Sequence, residues 1–225
     1  MAPRNDQRTV RPDFRSAGRD SRCWVWFIVA VAVLVALDLG SKAIAFRTIA
    51  TDPVIVDKHA ALGLMAVDPR MLQSLIPDHD ARVAIPGVLE FKLVLNPGAV
   101  FGAGAGARWF FIGFTMVALG FATWMFAGWS DRRDRLLHIG IALIVAGGLG
   151  NLFDRVTFGC VRDFIHPLPG WVIPFGLEWP GGGRELWPYV SNLADKWLLI
   201  GIGLVLWRVW REDGGEKKAS GKSDQ

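Results

Sequence analysis

Four stretches of this chain are apolar on every side and long enough to span a bilayer, which needs about 20 residues at 1.5 Å rise each. They cover residues 23–46, 109–129, 136–153 and about 189–207. Asp38 and Lys42 interrupt the first only near its end, and the second has no charge. His138 is the single titratable group of the third, and Asp195 and Lys196 lie near the start of the fourth. A core helix of a soluble protein would show one apolar stripe and one polar face. The pattern therefore predicts an all-α membrane protein with four transmembrane helices. Apolar residues make up 52% of the chain, charged residues 20%, and mean hydropathy is +0.31, which excludes a disordered chain or a coiled coil.

The net charge of +4 and a pI near 9.4 suggest a polyanion partner until the basic residues are located. Residues 1–22, 130–135 and 208–225 hold 14 of the Lys and Arg side chains, six of them in the first segment. The much longer segments 47–108 and 155–190 together hold nine. Basic residues collect on the cytoplasmic side of membrane proteins. Both termini and the 130–135 link are thus expected inside, and the two long loops outside. Nucleic acid is not an expected partner. The expected division is an Arg-rich tail over 1–22, a four-helix domain over 23–211 with outer loops 47–108 and 154–188, and a polar tail over 212–225.

The Arg-rich start, the apolar run and Ala43-Ile44-Ala45 also imitate a cleavable secretory signal. Cys23 and Cys160 are expected on opposite sides, too far apart for a disulfide. Residues 51–86 read as a loop with turns at Asp52-Pro53, Asp68-Pro69 and Pro77-Asp78, while 88–95 read as a strand entering the Asn96-Pro97-Gly98 turn. Residues 166–188 are rich in Pro, Gly and Trp, as suits a loop or hairpin at the lipid headgroups. Gly140, Gly147, Gly148, Gly201 and Gly203 are expected at close helix contacts. Gly148 and Gly150 are also read as leaving room for a substrate backbone. Gly102–Gly106 reads as a flexible lead into the second helix, Asp78-His79-Asp80 as a solvated triplet, and His138 as a packed side chain.

Polar residues at the membrane-helix ends gather on the outer side. Asp38 and Lys42 share a helix face at i,i+4, and Asn151 and Asp154 are i,i+3, as are Asn192 and Asp195. Asp163 follows the third helix shortly after Arg155. Ionisable groups within membrane segments are functional candidates by default. Two carboxylates that share a site hold one proton between them, which suits water activation for peptide hydrolysis without metal or covalent intermediate. The residues alone leave open which two of the four aspartates pair. Asp154 is expected to pair with Arg155.

Five motifs occur in order: Asp38-Leu-Gly-Ser-Lys42, Asn96-Pro-Gly-Ala-Val-Phe-Gly102, Gly147-Gly-Leu-Gly-Asn-Leu-Phe-Asp-Arg155, Val161-Arg-Asp-Phe164 and Asn192-Leu-Ala-Asp195. Together they resemble the bacterial lipoprotein signal peptidases, or signal peptidase II. The resemblance implies an aspartic endopeptidase of the cytoplasmic (inner) membrane, with its active site at the outer face. It implies Asp163 and Asp195 as the catalytic pair. Asp38, Lys42, Asn96, Gly98, Asn151, Asp154, Arg155 and Asn192 then bind substrate or order the site. Its substrates would be prolipoproteins, cut just before the diacylglyceryl-modified Cys, with no metal or other cofactor. The family's small extracytoplasmic β-sheet would take the 88–95 strand, and a monomer is expected. Leu39 stands where Gln is common, Ser191 where Phe is usual, and both outer loops are long, which concerns loop shape and substrate preference.

Two other classes compete. A Ser/Lys peptidase would need Ser41 with Lys42 or Ser191 with Lys196, and neither spacing pairs well on a helix. A proton-relaying transporter would place carboxylates at mid-membrane, where the second and third helices have none.

Overall fold

In the computed structural model, residues 15–98, 108–179 and 183–220 are described, with side chains as far as Arg211 in the last helix. Arg4, Arg8, Arg11, Lys222, the 99–102 end of the second motif and Gly102–Gly106 lie outside the described residues.

The long helices are α1 (Ser21–Thr48), α3 (Arg108–Trp124), α4 (Arg135–Thr157) and α5 (Leu193–Ser220). α3 is extended by a π turn over Met125–Trp129. Their starts follow local side-chain chemistry. Asp20 caps α1 by accepting from Arg22 N at 2.9 Å, and Asp134 caps α4 by accepting from Leu137 N at 3.1 Å. The first three are long and apolar enough to cross a membrane. In α5, Asp195 and Lys196 at one end and Arg208 and Arg211 at the other bound the apolar stretch. α4 is the inner helix: 61% of its apolar window is buried, against 11% in α1 and 11% in α3. The outer faces of α1 and α3 thus present Ile28, Val33, Phe114 and Val117 to the surroundings, as lipid-facing helices do.

Glycine lets α4 and α5 approach closely. A Cβ on Gly201 would lie 2.6 Å from the Gly140 carbonyl, and one on Gly148 would lie 3.0 Å from Leu119 of α3. Gly147 meets Ala194 and Leu198, whereas a Cβ on Gly203 would meet nothing within 4 Å. Gly150 faces the Asp38 carboxyl and Ala194. Gly148 and Gly150 are therefore occupied by neighbouring helices, and the expectation that they leave room for substrate is corrected.

A three-stranded antiparallel sheet, β1 (Arg82–Ile85), β2 (Leu89–Asn96) and β3 (Val161–Pro167), lies in that order beside the ends of α1 and α4. Val94 opposes Asp163 and Asn96 opposes Val161, after an irregularity between Phe91 and Val94. Phe46, Val54, Leu72, Leu93, Leu95, Cys160 and Phe164 form the core that joins the sheet to α1. The segment read as a loop over 51–86 contains helix α2 (Lys58–Val67), which Asp57 caps, and a 3-10 turn over Pro69–Leu75. Burial pushes the Cys160 thiol up to about 12, and both cysteines are free. His79 is no solvated triplet member: it accepts from Leu93 N at 3.1 Å and bridges to the Pro77 carbonyl at 2.9 Å. His138 packs edge-on to Phe126, 5.0 Å between centroids.

At the far end of the bundle, Ala17 N donates to Ser130 O at 2.9 Å and Arg208 pairs with Asp134 at 2.6 Å. The N-terminal segment, the 130–134 link and the distal part of α5 therefore meet at one end. Phe27 stacks on Phe126 there, 4.1 Å between centroids.

Candidate active site

Three α-helices and two strands deliver the polar motifs to the opposite end. α1 presents Asp38 and Lys42, both fully buried. Lys42 Nζ donates to Asp38 Oδ2 at 2.8 Å and Asn151 Oδ1 at 3.1 Å, and lies 3.7 Å from Asp154. The other Asp38 oxygen accepts from Ala194 N at 2.8 Å, which ties α1 to the start of α5. A buried ammonium is tolerated only with such partners.

α5 begins later than the apolar run suggests, at Leu193 rather than near 189. Asn192 ends the extended segment after Pro188 and caps the helix. Asp195 N donates to Asn192 Oδ1 at 3.0 Å, while Asn192 N donates to Asp195 Oδ2 at 3.1 Å. This reciprocal cap fixes the Asp195 carboxylate. α4 runs past 153 to Thr157, so Asp154 and Arg155 lie within its last turn.

Alternation along β3 separates neighbouring charges. Asp163 points into the site, accepting from Asn96 Nδ2 at 3.0 Å and from Asn192 Nδ2 at 2.5 Å. Arg162 turns the other way and donates to Asp154 from Nη2 at 2.8 Å, Nε at 3.3 Å and its backbone N at 3.0 Å. Asp154 is thus paired with Arg162, not with Arg155 as the sequence suggested. Adjacent helical side chains diverge by about 100°, so Asp154 and Arg155 cannot face each other. Arg155 instead reaches the Asn151 carbonyl at 3.5 Å and lies over the Phe111 ring at 5.4 Å.

Asn151 links the two candidate catalytic carboxylates. Its Nδ2 donates to Asp195 Oδ1 at 2.8 Å, and its Oδ1 accepts from both Lys42 and Asn192, each at 3.1 Å. Asn192 then donates to Asp163. Burial, reinforced by the Asp195 charge, raises the Asp163 carboxyl to about 7, against the pull of the Asn96 and Asn192 amides and Lys42. At neutral pH the Asp163 carboxyl is therefore close to half-protonated.

Gly98 completes the set. Its N–H donates to Asn96 Oδ1 at 2.8 Å with φ +84°, and a Cβ would sit 3.1 Å from the Phe111 ring. Glycine alone suits that turn. The structure brings together Asp38, Lys42, Asn96, Asn151, Asp154, Asp163, Asn192 and Asp195 through side-chain contacts, with Gly98 and Arg155 at the margin. Asp163 lies at the floor of a cleft of about 530 Å³ that Asn96, Glu90, Lys92, His166 and Tyr189 also line. Among the described residues no group of three His, Cys, Asp or Glu side chains could hold a metal ion.

The sequence reading missed three features. The Arg162–Asp154 pair was hidden by its eight-residue separation, although strand alternation from Asp163 would have indicated it. His166 is held between Glu90 Oε1 at 2.7 Å and the Trp187 carbonyl at 3.2 Å. Lys196 Nζ donates to Ser191 Oγ at 2.9 Å. The spacing argument against that pair assumed one helix, but Ser191 precedes α5.

Residues 30–211 match the family model described as Signal peptidase (SPase) II. A lipoprotein signal peptidase of Desulfitobacterium hafniense is 30% identical over 70% of this chain and 95% of its own length. That of Azoarcus sp. is 32% identical over 69% of this chain and 81% of its own. That of Streptococcus pyogenes serotype M1 is 26% identical over 83% and 94%. In fold, the chain is similar to a bacterial membrane enzyme solved by the in meso method at 2.3 Å resolution, with a TM-score of 0.57 over 85% of this chain and 91% of that one, at 22% identity. With its membrane helices, its small antiparallel sheet and a match across most of its length, the chain belongs to the signal peptidase II family.

Proposed function

We propose that this protein removes the signal peptide from diacylglyceryl-modified prolipoproteins, cutting just before the lipidated Cys, as an aspartic endopeptidase. Asp163, protonated, gives its proton to the scissile carbonyl oxygen as the Asp195 carboxylate takes one from the attacking water. The tetrahedral adduct collapses as Asp195 returns that proton to the leaving amine, and Asp163 regains its own. The observation that carries this reading is the Asn151–Asn192 bridge, which ties the buried Asp163 and the half-buried Asp195 into one hydrogen-bond network.

Placement supports the substrate. From Arg22 to Asp38 α1 rises about 24 Å, so the Arg-rich end and the aspartates lie near opposite edges of a hydrocarbon layer about 30 Å thick. With basic residues inside, both termini are cytoplasmic, α5 is the fourth spanning helix and the site opens at the outer face of the bacterial cytoplasmic membrane. A lipidated Cys would lie at that level. The domain runs over 23–211, flanked by tails, and works as a monomer without metal or cofactor. Asp38, Lys42, Asp154 and Arg155 order the site around the pair, while Asn96 and Gly98 shape the turn beside Asp163. Cleavage of a lipidated precursor by the purified protein tests the proposal, and an unlipidated Cys precursor cut equally fast would refute the lipid requirement.

The pH profile gives a sharper check. If protonated Asp163 is required, the rate falls as pH rises through its pKa near 7. The Asn96 amide favours the ionised form, so Asn96→Ser raises that pKa and should move the alkaline limb of kcat/KM to higher pH. A limb that stays or moves down would contradict the assignment.

The Ser191–Lys196 contact supports a second reading, a Ser/Lys dyad. Against it, the Ser191 hydroxyl also contacts the Ile165 carbonyl at 3.2 Å and lies within the β3 bridge. Ser191→Ala should keep its cleavage rate within about threefold of the parent. A loss of several orders of magnitude would favour the dyad.

A further inference from the structure

At the end of the bundle away from the aspartates, a groove of about 520 Å³ runs between the first turns of α1 and α4. Arg22, Arg132 and Arg135 line its mouth, and Trp26, Ala30 and Ile139 line its wall. We propose that this groove binds one anionic phospholipid, its phosphate among the three guanidinium groups and an acyl chain along the apolar wall.

The charge arrangement asks for an anion. Arg22 and Arg135 lie in the first turns of α1 and α4, where the helix dipoles are already positive, and neither first turn has an acidic residue. Cations there are unfavourable without a counter-charge. The nearby carboxylates have other partners. Asp20 accepts from Arg22 N, and Asp134 accepts from Leu137 N and pairs with Arg208. Asp131 accepts from Arg133 N at 2.8 Å and Arg15 N at 3.0 Å, and these backbone bonds, with smaller contributions from the Arg133 and Arg132 charges, hold its carboxyl below the usual range. Among the described residues none of the three groove arginines has a carboxylate within ion-pair distance.

The groove also has the two-part character of a phospholipid. Its charged mouth lies about 24 Å along α1 from Asp38, at the level of the opposite headgroups, and its wall continues into the lipid-facing surface of α1, where Trp26 is 75% exposed. Guanidinium forks suit phosphate oxygens, and basic recesses between membrane helices take anionic headgroups. A free phosphate would leave the wall uncovered.

The inference depends on the chain spanning a membrane but not on its peptidase activity, so no part of the test requires cleavage. The full chain, purified in neutral detergent, is titrated with phosphatidylglycerol or phosphatidylcholine of matched acyl chains, and retained lipid is read by native mass spectrometry. The parent should retain one phosphatidylglycerol at least about fivefold over phosphatidylcholine. Arg22→Gln/Arg132→Gln/Arg135→Gln should remove the preference, the triple Lys variant should keep most of it, and Arg47→Gln/Arg70→Gln at the other end should leave it intact. If the triple Gln variant does not fold, Arg132→Gln/Arg135→Gln should still lower retention severalfold relative to the matching Lys pair. Equal retention of the two lipids, retention unmoved by the Gln changes, or displacement by glycerol phosphate as effective as by the lipid would each overturn the proposal.

Discussion

Asp163→Asn and Asp195→Asn should each reduce single-turnover cleavage of a lipidated precursor by about a thousandfold or more, and the double variant should be barely slower than either. The expectation follows from the two roles proposed for these carboxylates. Asn at 163 removes the acid that gives its proton to the carbonyl oxygen, and Asn at 195 removes the base that takes the water proton. Once one step is lost, losing the other has little left to remove. Asp154→Asn and Asp38→Asn should do less to the chemical step, since their carboxylates are occupied by Arg162 and Lys42. Folded, detergent-purified variants provide the measurement. An Asp163→Asn rate within about tenfold of the parent, only about 1.4 kcal/mol, would remove Asp163 from the mechanism.

The second large effect concerns stability. Lys42 is fully buried between Asp38, Asn151 and Asp154, so Lys42→Met keeps the volume but leaves Asp38 without its counter-charge. Removing one partner of a buried ion pair costs about 3–5 kcal/mol. The variant should therefore lose much of its resistance to thermal or detergent unfolding. Lys42→Met/Asp38→Leu should recover part of the loss, because no unpaired charge remains. If the single variant unfolds like the parent, Lys42 does not hold α1 to the site.

The sequence made the membrane helices legible because hydrophobic length is a direct demand of the bilayer. Asn192 and Asp195 were legible as neighbours because i,i+3 spacing is local, whereas the four-residue cap they form was not. Pairings across the fold were not. The contact between Arg162 and Asp154 depends on the turn after α4 and on which way the first residues of β3 face. Helix α2 was obscured by the turn signals at Asp52-Pro53 and Asp68-Pro69, the second of which follows its end while Asp57 caps its start. Ser191 and Lys196 were judged by helical spacing, and the cap at Asn192 placed one of them off the helix. Local chemistry reads from neighbours in the chain, whereas strand register and helix onset decide who meets at a distance.

The contact between Gly140 and Gly201 has a consequence for the tolerances of the dyad. Asp195 rides on α5, whose seat against α4 is set by glycine-width clearances six residues farther along the helix. Asp163 belongs to a strand whose place is fixed by pairing with β2. The two carboxylates are thus mounted on separate supports, one referenced to a helix pair and the other to a sheet. A load that spreads the helices reaches the strand through the Arg162–Asp154 pair and the backbone bridge between Ser191 and Ile165. Alignment of the pair is therefore inherited from the fit of two parts, coupled by the Asn151–Asn192 bridge and by the backbone bridge between Ser191 and Ile165.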